Sequence, residues 1–314
     1  MSTMKHPLLP WLVLALLASL PFVLPVLGLG YYVGFVRRLM IVALAAMSLS
    51  FLIGGGGMVV LGHAAFVGVG AYTVVALADG GVASAWVMLP AAIVVAGLVA
   101  TLIGAVSLRT KGVYFIMITL AFAQMLYYAV VSLRRYGGDD GYTLPMPATL
   151  GQGLTTASGD ALYALVLAAA AAVYALMARL PQARFGAALA GIRDNETRMQ
   201  ALGYPVYRLK LVAFAGAGAI AGLSGALLAL QDGFVSPSML HWTQSALLIV
   251  MVVVGGVGHR WGAPVGVALW LTLQELMRQV TDYWHWPLGL LLVAVVFLAP
   301  RGLAALRLGR RVAA

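Results

Sequence analysis

Cysteine is missing altogether from the 314 residues. No disulfide, iron–sulfur cluster or thiolate metal site can therefore be built. Charge is scarce as well: 9% of the residues are charged, against about 25% in an ordinary soluble domain. Acidic residues number only nine, so paired-carboxylate catalysis has little to draw on. The histidines are five (His6, His63, His241, His259, His285), scattered, and no two stand at metal-ligand spacing. No G-x-x-x-x-G-K-[ST] stretch occurs, so the chain lacks that phosphate-binding loop.

What remains is apolar. Hydrophobic residues make up 63% of the chain and the mean hydropathy is +1.00. Such a chain has too little polar surface to cover a soluble fold. The composition reads as an integral membrane protein and excludes a disordered chain, a nucleic-acid module and a cytosolic enzyme. The net charge of +10 is then a statement about loops, because basic residues mark cytoplasmic loops of membrane proteins.

A lipid interior satisfies no free backbone group, so each span is a helix or part of a closed barrel. The apolar runs here are continuous and rich in Ala, Leu and Val, without the alternating short segments of a barrel. The expectation is an all-α polytopic fold, one membrane domain over 1–314. About ten spans are expected, at 8–29, 36–53, 58–78, 84–107, 112–133, 159–179, 211–231, 243–258, 262–280 and 286–300. Residues 8–29 resemble a signal peptide in having Lys5 before them. The run is longer than a signal core, contains Pro21 and Pro25, and leads to no clear cleavage site. It is read as an uncleaved first helix.

With the N-terminus inside, fourteen of the basic residues fall on the inner side and five on the outer. Arg37 and Arg38 are the awkward outer pair. Two loops exceed a tight turn, an outer one at 134–159 and a charged inner one at 180–210.

Within the inner loop, Leu189, Ile192, Met199 and Leu202 recur at helical spacing. Asp194 with Arg198, and Glu196 with Gln200, stand at i,i+4. Gly203 follows the last periodic residue and suits a left-handed cap, and Pro205 prevents continuation. The segment reads as a short amphipathic helix. It either rests on lipid or docks into a partner's groove. Charges of both signs favour docking.

Residues 54–72 hold seven glycines, including the run Gly54, Gly55, Gly56 and Gly57. Single glycines fit close helix packing. The four-residue run reads as a break in a discontinuous helix, of the kind that lines transporter paths. His63 sits deep in this apolar stretch. A neutral, hydrogen-bonded structural role is favoured for it over path lining or gating. A path through this region would be lined by Gly54, Gly57, Gly62, His63 and Phe66. Glu275 is the one carboxylate set near a span's interior.

Ordered blocks along the chain resemble a known family. They are Leu61-Gly62-His63-Ala64-Ala65-Phe66, Leu108-Arg109-Thr110-Lys111-Gly112-Val113-Tyr114-Phe115, Gly191-Ile192-Arg193-Asp194-Asn195-Glu196 with Ala201-Leu202-Gly203-Tyr204, Val254-Gly255-Gly256-Val257-Gly258, and Pro300-Arg301-Gly302-Leu303. The set resembles the M-type permeases of branched-chain amino acid ABC importers. That resemblance implies a non-catalytic subunit in the bacterial inner membrane. It implies a second homologous permease, two cytoplasmic ATPases that bind ATP and Mg, and a periplasmic binding protein. It also implies that Leu189, Ile192, Arg193, Asp194, Asn195, Glu196, Met199, Leu202 and Gly203 form the ATPase-coupling element. Within the same class the cargo could be urea or a short amide. A stand-alone secondary transporter or channel is the rival class; it calls for intramembrane carboxylates, and only Glu275 approaches that. No cofactor and no nucleic acid are expected on this chain.

The charge asymmetry predicts both termini in the cytoplasm. Reporter fusions at the two ends check this, and a periplasmic signal from either one would overturn the topology.

Overall fold

The computed structural model describes residues 9–151, 154–156, 159–280, 283 and 285–290. The described residues are built mainly of helices, as the unbroken apolar runs require. They are α1 (Leu9–Val26), α2 (Tyr31–Gly56), α3 (His63–Asp79), α4 (Ala85–Ser107), α5 (Val113–Ser132), α6 (Gly159–Arg179), α7 (Arg184–Asp194), α8 (Glu196–Ala201), α9 (Val206–Asp232), α10 (Trp242–Gly255) and α11 (Gly262–Val280). Five of these, α2, α4, α5, α6 and α9, are long and apolar enough to cross a membrane, and α1, α3 and α10 are shorter apolar helices. The span expected at 286–300 lies largely outside the described residues.

Helix length carries the organisation. A rise of about 1.5 Å per residue makes a helix of some 20 residues sufficient for a bilayer core. α2 has 26 residues and α9 has 27, more than a perpendicular crossing needs. Each is followed by a short helix, α3 of 17 residues and α10 of 14. The connections, 57–62 and 233–241, are non-helical apart from a short 3-10 turn at Pro237–Leu240. The two long helices run antiparallel. Arg37 near the start of α2 reaches Gln231 at the end of α9, with 3.1 Å between Nε and Oε1.

Several boundaries differ from those read off the sequence. α2 begins at Tyr31 instead of 36 and continues through Gly54, Gly55 and Gly56. Gly54 is tightly packed, since a Cβ there would lie 2.9 Å from the Gly258 backbone. The chain leaves the helix only at Gly57, whose φ of 65° is left-handed. α3 correspondingly starts at His63, not 58, and α9 starts at Val206, five residues before the expected 211.

The core lies where α9 meets α2, α3 and α4. Small residues make that contact close. A Cβ on Gly225 would land on the Val67 carbonyl, one on Gly222 would strike Ala96, and one on Gly218 would strike Ala100. Side-chain polarity is spent on joining helices: the buried Ser224 Oγ donates to the Ile41 carbonyl across 2.8 Å. Tyr163 Oη donates to the Leu17 carbonyl at 2.6 Å, tying α6 to α1.

One end of the bundle carries a small lid from the loop 134–159. Strands β1 (Tyr142–Thr143) and β4 (Phe234–Val235) pair antiparallel, as do β2 (Thr149–Gly151) and β3 (Leu154–Thr155). Asp79 at the end of α3 accepts from Arg135 at 2.7 and 2.8 Å. That bond holds the guanidinium above its ordinary pKa. The opposite end carries α7 and α8.

The seam predicts a sharp contrast along α9. Gly225→Val should destabilise the detergent-solubilised protein by about 1–3 kcal/mol or prevent folding, as overpacking does. Gly216→Ala meets nothing within 4 Å and should leave stability unchanged or raise it by up to about 1 kcal/mol, the helix preference for Ala. Thermal unfolding of the two variants measures the difference.

Candidate functional site

The inner-loop segment is two helices, not one. Asn195 stands between α7 and α8 in an extended conformation, and its side chain accepts from the Arg198 N–H at 2.9 Å. Asn at that place is a favoured N-cap, so the sequence held a signal for the second helix start. The elbow changes the pairing. Asp194 bonds Arg193, at 3.0 Å from Nη2 to Oδ1, instead of Arg198. Glu196 turns to lysines instead of Gln200. α8 closes as its sequence predicts: Gly203 has φ 81°, its N–H reaches the Gln200 carbonyl and the Tyr204 N–H reaches the Met199 carbonyl. These two bonds form a complete Schellman cap.

The apolar face points inward. Leu189, Ile192 and Met199 are buried against the chain's own helices, so they support the elbow and do not present themselves to a partner's groove. Leu202 alone of the four stands out, 67% exposed. Asp194, Asn195 and Gly203 are exposed with it.

Arg193 leans across the elbow onto the broken end of α2. Its Nη1–H donates to the Gly54 carbonyl, one of the carbonyls that a helix terminus leaves without an intrahelical partner. Its aliphatic stem lies on Gly57, where a Cβ would come 2.9 Å from Arg193 Cγ. Glu196 sits between two lysines, 2.8 Å from Lys210 in the first turns of α9 and 3.2 Å from Lys111 in the α4–α5 turn. The Lys210 side chain is 16% exposed and that of Lys111 69%, so the Lys210 bond is the less screened of the two. Burial pushes the Glu196 carboxyl up, but the bonds from Lys210 and Lys111 outweigh it and hold the group below its ordinary value. The pair's contribution is therefore full above the usual glutamate range and disappears as pH falls through the lowered value.

A cavity of about 380 Å³ opens at this junction, lined by Gly57, Met58, Lys111, Phe115, Arg193 and Glu196 among others. Of the five residues expected along a path, it brings in Gly57 alone. Gly54 is packed on Gly258, and Gly62 on the Thr119 carbonyl of α5. His63 and Phe66 are buried in the core.

His63 is held by a serine of α2. Ser48 Oγ lies 2.9 Å from the Ala45 carbonyl and 2.8 Å from His63 Nε2, within hydrogen-bond reach of both. The next residue, Ala64, donates its N–H to Ser245 Oγ of α10 at 2.9 Å. The buried first turn of α3 is thus capped from α10. Glu275 accepts from Tyr31 Oη at 3.2 Å, joining α11 to the start of α2. Sequence spacing missed every one of these long-range partners. Among the described residues no three His, Asp or Glu groups could hold a metal ion.

Five helices long and apolar enough to cross a membrane, with shorter apolar helices among them, fit a multi-pass membrane protein. The chain belongs to the family described as branched-chain amino acid transport system, permease component, which it matches over residues 31–299. It is similar to the high-affinity branched-chain amino acid transport system permease protein LivM of Escherichia coli, 29% identical over 96% of this chain and 76% of that one. The LivM of Salmonella typhimurium is 27% identical over the same shares. A probable branched-chain amino acid transport permease protein LivM of Methanocaldococcus jannaschii is 27% identical over 59% of this chain and 55% of its own length. No solved structure matches the chain.

The His63–Ser48 bond predicts what the position tolerates. His63→Gln keeps a donor and an acceptor for Ser48 and should retain assembly and uptake. His63→Leu loses that bond and should destabilise by about 1–3 kcal/mol. A Gln variant that unfolds at the wild-type temperature yet transports nothing would show that His63 serves the path.

Proposed function

We propose that the chain forms, with a second permease, the membrane path of an ABC importer for branched-chain amino acids. Separate ATPases drive it, and a periplasmic binding protein delivers the cargo. The observation that carries this reading is the elbow at α7–α8 beside the break after α2, in a chain of this permease family with no phosphate-binding loop of its own. An element that meets a motor must show an outward surface and be rooted inwardly. Arg198, Leu202 and Tyr204 are exposed, while Leu189, Ile192 and Met199 root the elbow in the core.

In this reading the ATPase receives the outward rim from Asn195 to Tyr204. Closure of the ATPase dimer around nucleotide shifts the rim, and the shift reaches the spans through the buried face. The path runs past Gly57 at the inner mouth. Gly54, Gly62, His63 and Phe66 serve it from behind as packing residues in the state described. About ten spans are read from the apolar runs, both termini inside from the charge asymmetry, and the inner bacterial membrane from the family. A urea or short-amide permease of the same class is the alternative.

Reconstitution of the permease pair, ATPases and binding protein in vesicles tests the reading. Leucine, isoleucine and valine should enter only with ATP, and urea should not compete. Uptake that follows an ion gradient without any ATPase attached would overturn it. Gly203→Val places a side chain at a left-handed position, at a cost of about 1–2 kcal/mol, and should weaken ATPase association while the binding protein still captures its ligand.

A further inference from the structure

Three polar attachments join the elbow to the membrane helices, and each goes to a different element. Arg193 reaches the Gly54 carbonyl at the end of α2. Glu196 reaches Lys111 in the α4–α5 turn and Lys210 in α9. All of them surround the cavity at the inner mouth. We propose that Arg193 and Glu196 are positioning residues that turn movement of the elbow into opening and closing of the mouth at Gly57, the moving part being the interruption 57–62. This rests on the ATP-driven transport reading above and assigns the inward half of that linkage.

The chemistry of each contact suits the task. A guanidinium at a helix C-terminus meets both free carbonyls and the negative end of the helix dipole. Asp194 takes Nε and Nη2 at 3.2 and 3.0 Å, which leaves Nη1 aimed at Gly54. Gly57 has no side chain, and that absence lets the Arg193 stem lie against the backbone where the helix ends. The cap therefore binds the place where α2 stops, not a point within a rigid helix.

Glu196 supplies the second hold. Its two oxygens are engaged separately, Oε1 by Lys111 and Oε2 by Lys210. Rotation of the elbow cannot keep both bonds and the Arg193 cap unless α9 and the α4–α5 turn move with it. The same three cations and one carboxylate ring the cavity, so breaking the set changes the mouth itself. Glu196 is largely covered, its side chain 24% exposed, while Arg193, 45% exposed, still spends Nη1 on the Gly54 carbonyl.

The test uses the complete vesicle-reconstituted complex and two readouts, ATP hydrolysed and leucine taken up. Arg193→Ala and Glu196→Gln should assemble with the ATPases and hydrolyse ATP. Uptake per ATP should fall about tenfold, a loss of the order found on breaking one hydrogen-bonded network. The exchange Glu196→Lys with Lys210→Glu should recover more uptake per ATP than Glu196→Lys alone, and it decides the matter if the single variants fail to accumulate. Because the chain has no cysteine, a lone cysteine at Met58 reports the mouth. Its labelling by a maleimide should depend on nucleotide in the otherwise wild-type chain and lose that dependence with Arg193→Ala. Loss of ATPase association in Arg193→Ala would overturn the proposal by placing that residue on the partner surface, and so would an unchanged uptake per ATP. Absence of ATP-driven uptake in the wild-type complex would instead overturn the transport reading.

Discussion

A hydrocarbon interior offers no hydrogen bond to a free N–H or carbonyl, and this constraint governs where the chain can afford to stop being helical. It stops twice beside its longest helices, after α2 and after α9. Both stops need protein around them. The first is closed by Gly57 and Met58 folding their N–H groups back onto the Ile53 and Leu52 carbonyls, by Arg193 on the Gly54 carbonyl, and by Ser245 receiving the Ala64 N–H. The second is met by β4 pairing with β1 and by the 3-10 turn at Pro237–Leu240. Leu240 of that turn fills the space left by Gly68. The interruptions are thus products of tertiary packing.

That dependence explains the small residues. Irregular backbone can be enclosed only if regular backbone comes close to it. Gly218, Gly222 and Gly225 let α9 lie directly on α3 and α4. The close approach gains dispersion contacts where no hydrophobic drive exists between helices, and it forms a rigid frame. Against this frame the elbow at α7–α8 is held by side chains of moderate length, and its outer rim stays uncovered. A rigid centre with one tethered outer element is the arrangement through which a force applied at the surface reaches the interior.

How much of this the sequence disclosed follows from the range of each interaction. Helix existence rests on local apolar content, so α5 and α6 come within a residue or so of their expected spans. The Gly203 cap rests on a local pattern and was legible too. The run Gly54–Gly57 was not, because propensity argues for a break through all four, while the helix runs on to Gly56, with Gly54 packed on Gly258. The pairing of Glu196 was illegible for a different reason. Lys111 lies 85 residues away in the chain, and no periodicity links the two. Asn195 is an intermediate case: its N-cap chemistry was written in the sequence, but the apolar spacing across it suggested one helix.

The inward turn of the elbow's apolar side chains, and of Glu196, also narrows what an ATPase of the proposed importer would recognise. Leu189, Ile192 and Met199 are already covered by this chain. A partner that pulled them out would expose apolar surface and forfeit packing in the core. In the proposed importer its contact would form on what is exposed, a rim with Leu202 and Tyr204 among polar residues. Such a rim is small, and a small contact transmits force only if its own base does not yield. The base here is fixed by the Schellman cap at Gly203, the Asn195 cap and the grip of Lys210 on Glu196. The stiffness of so short an element is set by its caps and ion pairs, because two turns of helix cannot hold themselves.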